Sequence, residues 1–190
     1  HLDERLTAEL AFAQRHAAPL ALIVVDVDYF KRINDEHGHQ AGDVVLQGIA
    51  AVLNSCVRVE DLVARHGGEE FAGLARGVDL GGAKAFAERM RSTIAGTGFA
   101  FDGTSLSVTA SFGIAHNQAG ISMSKASALM ASADQALYAA KHGGRNRVCV
   151  AGSPGSYSVS GDDASTKPRD RSRSRHIETA PVALKQEASP

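Results

Sequence analysis

Leu2, Leu6, Leu10 and Ala13 recur at helical spacing and predict a helix over 2–17. The unbroken apolar run Leu20-Ala21-Leu22-Ile23-Val24-Val25 is strand-sized and predicts a buried strand over 20–27. Val45, Ile49, Val52 and Cys56 mark a helix over 40–56, with a short helix over 29–35 before it. Phe86, Met90 and Ile94 mark a helix over 80–95, and Leu129, Ala133, Leu137 and Ala140 one over 124–141. Strands are expected over 60–66, 69–75, 106–115 and 146–150. The strands over 60–66 and 69–75 meet at Gly67-Gly68. This predicts a tight hairpin, because only glycine accepts positive φ at both central positions without steric cost. Helices and strands interleave without a repeat, so the fold class is an α/β (α+β) sandwich: a mixed central sheet flanked by helices.

Composition divides the chain near residue 150. The last forty residues hold four of the five prolines, eight serines and the alternating run Arg171-Ser172-Arg173-Ser174-Arg175. Such a segment buries too little apolar surface to offset its ordering entropy, so 151–190 is expected to be a disordered tail. The run could touch RNA or anionic lipid, but a solvated segment is the favoured account of it. The body, residues 1–150, carries a charge of −2 within a chain total of −1. It is long enough to bury about 70% of its unfolded surface. No nucleic-acid-binding body and no membrane span are expected. Cys56 and Cys149 lie far apart and outside any C-x-x-C pattern, which argues against a disulfide framework or a cysteine-ligated zinc. A reducing, cytoplasmic compartment is expected. Because helical spacing starts at Leu2 without an initiator methionine, the chain is expected to be cut from a longer protein, whose membrane anchorage stays open.

The chemistry concentrates where apolar runs stop. The first strand ends in Asp26-Val27-Asp28, and the hairpin tip adds Glu69 and Glu70. A charge at the C-terminal end of a buried strand sits at a sheet rim, where ligands bind. If the two regions are neighbours, carboxylates about 4 Å apart repel by roughly 4 kcal/mol per pair at an effective dielectric of 20. A cation between them is then required. Hard oxygen ligands without His or Cys suit Mg²⁺ or Mn²⁺. For Asp28, capping a helix that starts at Tyr29 is the simpler account. Phe30-Lys31-Arg32-Ile33-Asn34-Asp35 and Gly38-His39-Gln40-Ala41-Gly42-Asp43 form a helix–loop–helix rich in groups that bind polar ligands, a nucleotide among them. Amides at the helix start near Phe30 and Lys31 suit phosphate oxygens. No G-x-x-x-x-G-K-[ST] occurs, which excludes a P-loop protein. Asp43 also reads as a helix N-cap and Leu46 as a core residue. Lys141 and Arg145 read as partners of a helix macrodipole, and Arg58 with Asp61 as a surface ion pair.

Together, Asp26-Val27-Asp28-Tyr29-Phe30-Lys31, Asn34-Asp35, Gly38-His39, Gly42-Asp43 and Arg65-His66-Gly67-Gly68-Glu69-Glu70-Phe71 resemble the GGDEF family of diguanylate cyclases. Ala133-Asp134-Gln135-Ala136-Leu137-Tyr138-Ala139-Ala140-Lys141 and Gly144-Arg145-Asn146-Arg147 resemble its closing segment. The likeness covers about residues 1–150 in the family's order.

The resemblance implies a fold similar to the nucleotidyl cyclase and polymerase palm, and condensation of two GTP into cyclic di-GMP with release of two pyrophosphates across a homodimer. By the same resemblance, Asp26, the Val27 carbonyl, Glu69 and Glu70 hold Mg²⁺ or Mn²⁺, two ions per site. Glu69 takes the proton of the attacking ribose 3′-hydroxyl. Phe30, Lys31, Lys141 and Arg145 surround the phosphates. Asn34 and Asp43 read guanine, with Leu46 against the base. Glu at the third motif position, where the family name has Asp, keeps the charge and the ligand oxygens. Arg58 and Asp61 have the R-x-x-D spacing of a product-inhibition site for cyclic di-GMP, with Arg89 as its second basic residue. A catalytically silent module that senses GTP or cyclic di-GMP is the rival, and a polymerase-like nucleic-acid enzyme is disfavoured by the body's charge.

Overall fold

A computed structural model describes residues 2–117, 125–152 and 157–160. In chain order the elements are α1 (Leu2–Arg15), β1 (Leu20–Val27), α2 (Phe30–His37), α3 (His39–Cys56), β2 (Leu62–Arg65) and β3 (Glu70–Arg76). There follow α4 (Leu80–Gly96), β4 (Gly98–Phe101), β5 (Thr104–Ser107), β6 (Ala110–His116), α5 (Ala126–His142), β7 (Val148–Ala151) and β8 (Tyr157–Ser160). The main sheet runs β2-β3-β1-β6-β7-β8. It is mixed: β6 and β7 are parallel, while the other neighbours are antiparallel.

All eight residues of β1 are buried, because the strand lies in the middle of the sheet with helices on both faces. Alternation along a strand sorts its side chains. Ala21, Ile23, Val25 and Val27 pack with Val45 and Ile49 of α3 and Met90 and Ile94 of α4. Leu20, Leu22 and Val24 point the other way, toward Leu6 and Leu10 of α1 and Leu129 and Leu137 of α5. Asp26 continues the second series and so ends on the face that α5 covers. The approach of α5 is close: a Cβ on Gly113 of β6 would lie 2.3 Å from the Ala133 carbonyl oxygen. On the same side, the buried Glu9 of α1 pairs with Arg76 at the end of β3.

Three expectations are corrected. The strand expected over 106–115 is two strands, β5 and β6, because the pairing with β1 begins only at Ala110, just after Thr109, whose carbonyl accepts the Asp28 amide at 2.9 Å. β5 pairs instead with the unforeseen β4, through a two-residue turn whose Asp102 and Gly103 have φ of 45° and 73°. Asp-Gly is the sequence signal of such a turn. The hairpin between β2 and β3 forms, but neither Gly67 nor Gly68 takes positive φ. A longer loop closes it: the His66 and Gly67 amides donate to the Glu70 carbonyl at 2.8 and 3.2 Å. Finally, part of the expected tail joins the sheet. Ala151 closes β7, and β8 adds to it with Val148 opposite Ser160. The free edge of β7 supplies backbone partners that composition does not register. Residues 161–190, including the Arg171–Arg175 run, lie outside the described residues.

Candidate functional site

The carboxylates meet at the end of β1. Asp26 lies opposite Glu70 of β3 and Ser111 of β6 in the strand register. The Val27 amide donates to the Glu69 carbonyl at 3.3 Å, which docks the hairpin loop against the end of the central strand. Arg65 fixes that loop from inside. Its guanidinium donates to the Gly67 carbonyl at 3.1 Å and, through Nη2, to the Gly68 carbonyl at 2.5 Å. From the last turn of α5, Lys141 Nζ reaches Asp26 Oδ2 at 2.6 Å.

Burial raises the Asp26 carboxyl above the ordinary aspartate range; Lys141 opposes the rise, and the charges of Glu70 and Asp28 add to it. Burial also raises Glu69, reinforced by the negative charge of Asp26 and opposed by Lys141. Each carboxylate therefore stands in the field of the others, with one ammonium among them. Asp134 on α5 is raised too, by burial and then by Glu70. Among the described residues no three His, Cys, Asp or Glu side chains form a complete metal-binding group. The donor set matches an ion that takes one or two carboxylates, a carbonyl and substrate phosphate oxygens, as Mg²⁺ does. Asp26, the Val27 carbonyl and Glu69 would hold it, with Glu70 exposed beside them.

Asp28 does not cap α2. The N-cap is Tyr29, without any side-chain bond to the helix. The Asp28 carboxylate instead accepts from Thr109 Oγ1 and Ser111 Oγ at 2.7 Å each, and from the Asn146 amide at 3.0 Å. It ties the end of β1 to β6 and to the loop after α5. The helix-cap account failed because all three donors are distant in sequence.

The remaining candidates fall into three places. Beside the rim, the Phe30 and Lys31 amides open α2, ahead of its first turn bond from Arg32 N to the Tyr29 carbonyl. The Lys31 side chain is exposed there. Arg145 follows α5, with its guanidinium over the Tyr29 ring.

Between α2 and α3, the Asn34 amide lies directly on Gly42, where a Cβ would come within 2.0 Å of Asn34 Oδ1. Gly42 thus makes room for Asn34 next to Asp43, a role read off the sequence only as part of a motif. Asp43 is exposed in the second turn of α3 and is not its N-cap, which is Gly38. Asp43 and Leu46 line a cleft of about 190 Å³ together with Arg65 and Phe71. Leu46 is also 5% exposed and part of the core, as the core account expects.

The third place lies beside β2. Arg58, Asp61 and Arg89 line one cleft of about 230 Å³ with Val78, Gly82 and Phe86. Asp61 is no simple surface ion-pair partner, since Oδ2 accepts the Arg58 amide at 3.2 Å and Oδ1 the Arg76 amide at 3.3 Å. Arg89 donates to the Cys56 carbonyl at 3.0 Å and lies 5.3 Å from the Phe86 ring centroid. Among the described residues no helix is long and apolar enough to cross a membrane.

The family described as "Diguanylate cyclase, GGDEF domain" matches residues 1–147. Diguanylate cyclase DgcP of Pseudomonas aeruginosa is 46% identical over 153 residues, covering 79% of this chain and 22% of that protein. Diguanylate cyclase A of Treponema denticola is 39% identical over 131 residues, covering 69% of this chain and 35% of that protein. The chain thus spans about a fifth to a third of these curated relatives. The GGDEF domain of DgcB from Caulobacter crescentus, solved in complex with c-di-GMP, superposes with a TM-score of 0.74 at 33% identity, covering 79% of this chain and 88% of that one. The active GGEEF domain of a diguanylate cyclase from Vibrio cholerae gives 0.72 at 32% identity, covering 79% and 94%.

The tie made by Asp28 yields a stability prediction. Asp28→Ala removes one acceptor from three donors and is expected to cost about 3 kcal/mol, with Asp28→Asn costing less. Urea denaturation measures both, and an unchanged midpoint in the alanine variant would show that the carboxylate does not hold the loop.

Proposed function

The chain belongs to the GGDEF diguanylate cyclase family, and from that premise we propose that it condenses two GTP molecules into cyclic di-GMP, releasing two pyrophosphates. The observation that carries the proposal is the convergence of Asp26, Glu69 and Lys141 at one sheet rim. In this reading two divalent ions, Mg²⁺ or Mn²⁺, supply charge neutralisation on the triphosphate and its leaving group. Glu69 removes the proton of a ribose 3′-hydroxyl, whose oxygen attacks the α-phosphorus of the other nucleotide. The bond from that phosphorus to the bridging oxygen breaks, and pyrophosphate leaves. A positioned carboxylate that takes up this proton acts as a general base. Lys31, Lys141, Arg145 and the α2 amides receive the phosphates.

Asp43 accepts from the ring N–H and the exocyclic amine of guanine, and Asn34 pairs with the other edge. Adenine would set an acceptor against that carboxylate, so GTP is preferred to ATP. One chain offers one such set, and the product joins two identical nucleotides. Two chains facing each other across a two-fold axis therefore form the working unit. We place the domain in the cytoplasm, where GTP is available. Neither a nucleic acid nor a membrane span enters the mechanism.

For wild type, steady pyrophosphate release from GTP and Mg²⁺ is expected, falling by roughly 10² or more in Glu69→Gln. Equal release from both proteins would remove Glu69 as the base, and none from a dimeric wild type that still binds GTP would favour a sensing module instead.

The cleft of Arg58, Asp61 and Arg89 is proposed as the product brake. Arginine can fork onto guanine O6 and N7, and aspartate can accept from the opposite edge. The DgcB domain was solved in complex with c-di-GMP, so a domain similar to this one binds the product. Arg58→Ala is expected to raise the final product yield several-fold with an initial rate within twofold of wild type. Progress curves measure both, and an equal loss of rate and yield would contradict the brake.

A further inference from the structure

Tyr29 occupies the position between Asp28 and Phe30 to which the proposed mechanism gives no task. Its backbone sits at φ 57° and ψ 29°. A bulky residue holds that left-handed conformation only when its surroundings impose it. The core does not, because the residue is 59% exposed. Its partner is Arg145, whose guanidinium carbon lies 4.4 Å from the ring centroid and whose Nη1 donates to the Tyr29 hydroxyl at 3.3 Å.

Arg145 is constrained as well. Gly144, Arg145 and Asn146 follow one another at φ of 116°, 61° and 43°. This left-handed run is held from two sides. Asn146 N donates to Asp28 Oδ2 at 3.0 Å, and Asn146 Oδ1 accepts from Arg91 Nη1 of α4 at 2.6 Å. Asp28 thus fixes the backbone of the loop, and the next residue fixes its guanidinium.

We infer that Tyr29 is a positioning residue for the triphosphate, holding the Arg145 guanidinium on its ring face beside the α2 amides before a nucleotide arrives. The inference rests on the proposed function, in which Arg145 neutralises the phosphates. A free arginine side chain would lose its rotamer freedom on binding, whereas one already stacked has lost most of it. An aromatic face attracts the cation without neutralising it, so the charge stays available to the phosphates. A carboxylate in that place would compete with them.

GTP affinity, measured by calorimetry with Mg²⁺, and steady-state kinetics test the assignment. Tyr29→Leu is expected to weaken GTP binding about fivefold and raise KM correspondingly, with kcat within twofold. Tyr29→Phe keeps the ring face and is expected to stay within twofold of wild type throughout. Tyr29→Gly relaxes the left-handed backbone, so it is expected to melt no lower than wild type while still losing affinity, which separates positioning from folding. In an Arg145→Ala background, Tyr29→Leu is expected to change affinity by less than twofold. Normal affinity in Tyr29→Leu, or the same loss with and without Arg145, would overturn the inference while leaving the cyclase assignment intact. Failure of the wild type to bind GTP would overturn both, and the two failures are thereby told apart.

Discussion

The structure depends on a carboxylate buried at the end of its central strand. Asp26 is 5% exposed, and the nearest cation is the Lys141 ammonium at 2.6 Å. The strand register puts it there. The odd-numbered residues of β1 face α3 and α4, the even-numbered ones face α1 and α5, and Asp26 follows Leu22 and Val24 onto the second face. A one-residue slip would move it to the opposite face, away from Lys141. The neighbouring strands then decide its company: β3 brings Glu70 opposite, and the loop before β3 brings Glu69 onto Val27. An acidic rim with the Lys141 ammonium on Asp26 is an arrangement suited to triphosphate and divalent cation together.

A second layer keeps this rim in shape without touching a reacting atom. Asp28 draws Thr109, Ser111 and the Asn146 amide together, so β1, β6 and the loop after α5 share one anchor. Arg65 holds the carbonyls of the glycine loop, and Gly42 admits the Asn34 amide beside Asp43. The cleft beside β2 joins the same frame from another side. Asp61 accepts the Arg76 amide, and the Arg76 side chain pairs with Glu9 of α1.

Much of this was legible in the sequence, and the misses have physical causes. Continuous apolar runs and helical stripes located β1, α3, α4 and α5, because burial on a fixed face imposes a period. That Asp26 and Glu69 are neighbours was only a condition when read from the residues and an implication of the resemblance; the register of β1 with β3 and the Val27–Glu69 bond bring them together. Asp28 was misread because a helix cap is a local explanation, while its actual donors lie about eighty residues away or more. The β4–β5 hairpin was missed although Asp102-Gly103 announces it, since the alternation Leu106, Val108, Ala110, Phe112, Ile114 runs across Thr109 and reads as one strand. β8 could not be read from composition, because a strand can be recruited by backbone hydrogen bonds alone. Tyr29 carried no sequence signal, since its left-handed backbone and its arginine partner exist only in three dimensions.

The central claim is that Asp26 and Glu69 converge to hold a divalent cation with the nucleotide. Paramagnetic broadening of backbone amide signals by Mn²⁺, recorded with GTP bound, tests it most directly. The account predicts broadening centred on Val27 and Glu69 in the wild type and its loss from those residues in Asp26→Asn. Broadening centred elsewhere, or unchanged in Asp26→Asn, would contradict it.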